Sequence, residues 1–249
     1  MRLPALAGLF LVAFSVVLMI GLFLLKDRVK ASFRNIPAFT KFTKSIGTAV
    51  EQGTRIHFSL GSADVVRERT TASFMGISAL RHLVELAAAS DKPPVATTGD
   101  ATLAMLAQDS LRTAYRAAGM EQQYHADTGR VTGLTPFSYA AATLATIADE
   151  EISSSLLAGG FGVEIGLLTE AIERQDAFTL SAADSLPAQA LVYASAQEPL
   201  IGEELFATGA YMDVGRAHVV SLYVQDILRW LIVVILLGGA VIKIVAGLV

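Results

Sequence analysis

Residues 3–25, LPALAGLFLVAFSVVLMIGLFLL, make an apolar run without one charged side chain, and this run restricts the fold more than any other feature. About 20 apolar residues, each rising 1.5 Å in a helix, cross the hydrocarbon of a bilayer. A cleavable signal has a shorter core of roughly 7–15 residues followed by a small-x-small cleavage site. No such site follows here, and Lys26, Arg28 and Lys30 come next, so the run reads as a retained anchor. Residues 228–249, LRWLIVVILLGGAVIKIVAGLV, make a second run of similar length. Its Lys243 can extend its ammonium to the headgroups. Arg229 and Trp230 stand where interfacial anchors are expected. The expected plan is a transmembrane helix at 1–25, a basic juxtamembrane linker at 26–44, an α/β domain at 45–212, a juxtamembrane helix at 213–227 and a second transmembrane helix at 228–249.

Orientation follows from the flanking charge. Lys26, Arg28, Lys30, Arg34, Lys41 and Lys44 follow the first run, against Asp27 alone. The positive-inside rule then places the body in the cytoplasm, on an inner membrane, with both termini outside. The same cations, interleaved with Phe33, Phe39 and Phe42, read as a stretch lying on anionic headgroups. Residues 45–227 carry 22 acidic against 10 Lys and Arg side chains, a net of −12 that the overall −4 conceals. So acidic a body argues against a nucleic-acid partner. Cysteine is absent, which excludes disulfides, thiolate metal sites and a cysteine nucleophile.

Short apolar runs alternate with helical patterns through the body. Strands are expected at 55–60, 95–98, 130–135, 154–158, 177–181 and 199–202. Helices are expected at 63–89, 101–118, 136–151, 163–174, 187–196, 203–212 and 217–226. Crossovers this long cannot be hairpins, so the fold class is α/β, a Rossmann-like, doubly wound and mostly parallel sheet. Such sheets take ligands beyond the carboxyl ends of their strands. The residues expected there are Thr98, Gly99, Asp100, Gly160, Gly162, Glu164, Asp184, Glu203 and Glu204.

Asp100 reads as a helix N-cap. Glu164 shares a helical stripe with Leu168 and Ala171, and Glu203 with Ala207 and Ala210, unusual places for acids. Two readings stay open for them. Each complements a helix N-terminus, or Glu164, Asp184, Glu203 and Glu204 converge on a divalent cation such as magnesium or calcium, or on a sugar-like ligand. The glycine turn at 159–162, with Asp184 about 20 residues on, outlines a dinucleotide site. Its spacing departs from the usual fingerprint, and Glu164 would set a negative charge beside the phosphates. P-loop, HExxH and GxSxG patterns are absent from the sequence, and the four histidines are scattered.

The segments PLIGEELFATGAYM (residues 199–212), TTGD (97–100) and GGFGVE (159–164) resemble those of an uncharacterised prokaryotic membrane-protein family, defined only as a domain of unknown function. The resemblance covers most of residues 45–227. It implies an α/β body with terminal transmembrane segments and transfers no catalytic residue. The expected function is therefore that of a non-catalytic, bilayer-anchored homo-oligomer that organises a membrane complex, suggested by the alanine-rich helix at 140–148 and by Gly238-Gly239. The alternative is a ligand-binding or enzymatic domain that uses the strand-end acids for a nucleotide or divalent cation.

Overall fold

Parallel strands are buried on both faces and therefore read as nearly continuous apolar runs. In the computed structural model, which describes residues 2–24, 34–62, 70–87, 90–212 and 214–248, those runs become β1 (Arg55–Gly61), β2 (Val95–Thr98), β3 (Gly129–Val131), β4 (Ile152–Gly160), β5 (Phe178–Ala183) and β6 (Glu198–Leu200). The helices are α1 (Arg2–Leu24), α2 (Pro37–Gln52), α3 (Thr70–Ala87), α4 (Ala101–Ala117), α5 (Pro136–Asp149), α6 (Ile165–Glu173), α7 (Leu186–Ser195), α8 (Glu204–Tyr211) and α9 (Arg216–Leu248). The chain divides into two units, Asn35–Val214 and the pair Met1–Arg34 with Gly215–Val249.

In the first unit every strand pair is parallel, in the order β3-β2-β1-β4-β5-β6. This is the order of the doubly wound dinucleotide-binding sheet, whose direction of winding reverses between β1 and β4. One apolar layer gathers Ile56, Phe58, Leu60, Leu156 and Leu180 with side chains of α2, α3, α4 and α8. The other gathers Val95, Leu157 and Ala183 with side chains of α5, α6 and α7. Helices thus cover both faces.

Residues 37–44, read from the sequence as part of a headgroup-bound linker, belong to this core. Phe39, Phe42, Ile46 and Ala49 share one side of α2 and are buried. The helix passes the amino ends of several strands in turn. Ser45 Oγ meets Ser154 Oγ at 2.8 Å, Phe42 stacks on Phe178 with ring centroids 6.2 Å apart, and Lys41 pairs with Glu198. Phe39 stacks on Tyr211 at 5.1 Å. Gly53, at φ 65°, ends the helix and returns the chain into β1. Lys41 therefore serves an ion pair within the body, whose first residue is Asn35 rather than residue 45. Lys26, Arg28 and Lys30 lie outside the described residues.

Two strand boundaries shift, and one helix start is not among the described residues. The strand expected at 154–158 runs from Ile152 to Gly160, so both glycines pair within the sheet. The strand expected at 130–135 is only Gly129–Val131. The helix expected at 63–89 is described from Thr70, and the start expected at residue 63 lies outside the described residues.

In the second unit α1 packs along α9. The helical pattern at 217–226 runs on into the C-terminal apolar run, giving one helix of 33 residues. Within it Arg216–Ala246 is long and apolar enough to cross a membrane. Its apolar side chains, such as Leu236 and Ile242, are exposed.

Phe42 carries the docking of α2. Phe42→Ala is expected to destabilise the body by about 3–5 kcal/mol, as for other buried phenylalanine truncations. Lys41→Ala removes an exposed ion pair and is expected to cost under about 1 kcal/mol. Denaturant unfolding of the detergent-solubilised chain, followed by far-ultraviolet circular dichroism, compares the two.

Candidate functional site

Neighbouring crossovers leave β1 and β4 in opposite directions, which opens a crevice beyond their carboxyl ends. In this chain the two strands come very close there. A Cβ built on Gly159 would stand 2.0 Å from the Leu60 carbonyl oxygen, so no larger residue fits. The Ser62 N–H donates to the Gly160 carbonyl at 3.1 Å, and the Gly99 N–H to that of Gly61 at 2.9 Å. These bonds tie the strand ends to one another.

Glu164 lies within this knot and is 1% exposed. Its Oε1 accepts from the Ser62 hydroxyl at 2.5 Å and from the Gly162 N–H at 2.8 Å. A Cβ on Gly162 would lie 2.5 Å from Glu164 Oε2, so the glycine leaves room for the carboxylate. The side chain makes no capping bond to α6. A buried carboxylate needs such donors to offset its lost hydration. The chain thus places a carboxyl group of its own, held by one backbone N–H and one hydroxyl, where sheets of this order receive a phosphate.

The other candidates lie around it. Asp100 caps α4, accepting from the Leu103 N–H at 2.8 Å. Thr98 Oγ1 donates to the Gly61 carbonyl at 3.3 Å and accepts from the Asp100 N–H at 3.2 Å. Glu204 Oε2 accepts from the Ile201 N–H at 3.3 Å. Glu203 precedes α8 without capping it, and Asp184 follows β5. Gly160 of β4 pairs with Gly61 of β1, while Gly99 adjoins Ser62. Among the described residues no three of the His, Asp and Glu side chains gather into a group able to hold a metal ion.

Beneath the crevice lies a polar cluster that the scattered histidines do not announce. His57 is fully buried. Its Nδ1 shares a hydrogen bond with Ser155 Oγ at 2.8 Å, and its Nε2 another with Thr97 Oγ1 at 2.9 Å. Ser59 Oγ bonds the Tyr139 hydroxyl, and Thr132 Oγ1 bonds Thr143 Oγ1 at 2.8 Å. Burial pushes Tyr139 up to about 12, against the opposing pull of the Ser59, Thr97 and Thr143 hydroxyls. Burial, aided by the positive charge of Arg130, lowers His57 to about 3. Both groups are neutral near pH 7 and join the strands without offering a proton to solvent. The sequence signal for this cluster is the alternation of His57 and Ser59 with Ile56, Phe58 and Leu60, which resembles a strand with one wet face.

Two outcomes are expected. Glu164→Leu orphans the Gly162 N–H and the Ser62 hydroxyl and lowers stability by about 3 kcal/mol, whereas Glu164→Gln keeps an acceptor and loses about 1 kcal/mol. Thermal unfolding of the two variants beside the parent reads the difference. For His57 the folded value lies below that of the unfolded chain, near 6.5, so the unfolded state takes up the proton first as pH falls. Stability held above pH 6.5 is then lost toward pH 3 at about 1.4 kcal/mol per pH unit. His57→Gln is expected to flatten the fall in melting temperature between pH 6.5 and 5; an unchanged slope contradicts this assignment.

No curated protein and no solved structure matches the chain. One family model matches residues 2–249, and so extends over both terminal helices as well as the body. By that match the chain belongs to the family described as a domain of unknown function, DUF6754.

Proposed function

We propose that this chain is a non-catalytic membrane component. Two terminal helices anchor it in a bilayer, its acidic body faces the cytoplasm, and copies self-associate to organise a membrane complex. The observation that carries this reading is the occupied crevice: the place where a doubly wound sheet holds a ligand contains Glu164, bonded to Ser62 and Gly162. Two further strand-end acids are engaged locally, Asp100 in a cap and Glu204 in a turn. A body so arranged acts through its surface.

Supporting the anchorage are the length of α9 and the uncharged run at residues 3–25. The orientation rests on the basic residues after that run. Alanine-rich α5 and the Gly238-Gly239 pair of α9 supply surfaces on which helices approach closely.

Self-association is read by light scattering of the detergent-solubilised full chain, with the detergent mass subtracted. A protein mass at least twice 26.3 kDa is expected, and a monomer mass ends this reading. Orientation is read separately by proteolysis of intact cells. The body is expected to stay uncut until the membrane is opened, and cleavage in intact cells reverses the assignment.

A further inference from the structure

An outward helix face in a soluble protein normally carries charge. The layer formed by α5, α6 and α7 departs from this at one end. Leu134 and Phe137 at the start of α5, Val163 and Leu167 at the start of α6, and Leu186 at the start of α7 are 76%, 64%, 53%, 43% and 80% exposed. The three helices are neighbours, α5 against α6 and α6 against α7. Each begins beyond the carboxyl end of a strand. The five side chains thus form a row along one edge of the body. Residues 131–148 contain no Asp, Glu, Lys, Arg or His, and residues 177–197 contain only Asp184. The charges of α6, Glu170, Glu173 and Arg174, lie toward the other end of that helix, with Arg174 paired to Glu170 at 2.6 Å.

A row of exposed large apolar side chains marks an interaction surface, and charge selects its occupant. Residues 35–214 carry 21 acidic against 11 Lys and Arg side chains, a net of −10, so two copies repel wherever their charged faces meet. The uncharged row is where like bodies approach with least repulsion. A basic partner, by contrast, is drawn to the acidic faces. The two ends of the body, through Ile36 and Val214, pack on the other layer. The geometry points to a self-docking face: the first turns of α5, α6 and α7 pack against the same turns of a second copy. This inference rests on the self-association proposed above and names its surface. A two-fold relation about the middle of the row sets Val163 opposite its own equivalent, and Phe137 of one copy opposite Leu186 of the other.

The chain contains no cysteine, so single substitutions report contacts in the full-length protein in its membrane. Val163→Cys is expected to give a disulfide-linked dimer under mild oxidant. Phe137→Cys co-expressed with Leu186→Cys is expected to give the mixed dimer. Met105→Cys, on α4 and 70% exposed, serves as control and is expected to stay monomeric. Adding Phe137→Glu and Leu186→Glu to Val163→Cys is expected to cut its dimer yield at least tenfold, with circular dichroism unchanged. Light scattering of the parent separates the two ways to fail. A multimeric mass with no cross-link at the row, or with equal cross-linking of Met105→Cys, overturns this face and leaves self-association standing. A monomeric mass without cross-links overturns both.

Discussion

The pairing of β1 with β4 is the constraint on which the rest of the body depends. Strands β2 and β3 reach the other half of the sheet only through β1, and β5 and β6 only through β4. Along that seam the backbones approach so closely that Gly159 admits no side chain. Ser62, Gly160, Gly61 and Gly99 continue the pairing past the ends of the strands. The cost of such closeness falls on the polar groups, which lose water and need internal partners. Glu164 above and the His57 cluster below supply them.

That arrangement links stability to function. In sheets of this order the gap between the two central crossovers is where a ligand's phosphate finds backbone N–H groups. Here a carboxylate of the chain itself takes the N–H of Gly162, and a hydroxyl from the opposite strand closes the contact. A bound phosphate would have to displace a buried carboxyl group already hydrogen-bonded to Ser62 and Gly162. On the reading proposed above, the fold is retained while Glu164 stands in the usual route from fold to activity, in keeping with the rule that function resides in sites and not in folds.

How much of this was legible depended on whether the signal was local. The α/β class could be read because buried parallel strands are short apolar runs between helical patterns. The unusual place of Glu164, on a stripe with Leu168, was also visible. Its partner Ser62 is 102 residues away, and no periodicity reports such a distance. Helix α2 was misread for an electrostatic reason. Lys41 and Lys44 follow an uncharged apolar run and suggest headgroups, whereas Phe39, Phe42, Ile46 and Ala49 recur at helical spacing on the opposite side. The apolar period described the packing; the charges described only the solvent face. The sequence suggests an end for β4 at Ala158 because glycines ordinarily mark turns. Here the close approach of β1 requires them inside the strand.

The proposal turns on Glu164 standing in for a ligand's anion where β1 and β4 end. The most direct measurement is titration calorimetry of the detergent-solubilised full chain with ATP, NAD and magnesium, alone and together, at millimolar concentrations. The account predicts no saturable heat above the dilution controls. A saturable isotherm that Glu164→Gln abolishes or strengthens would contradict it, since the carboxylate would then lie within a working ligand site.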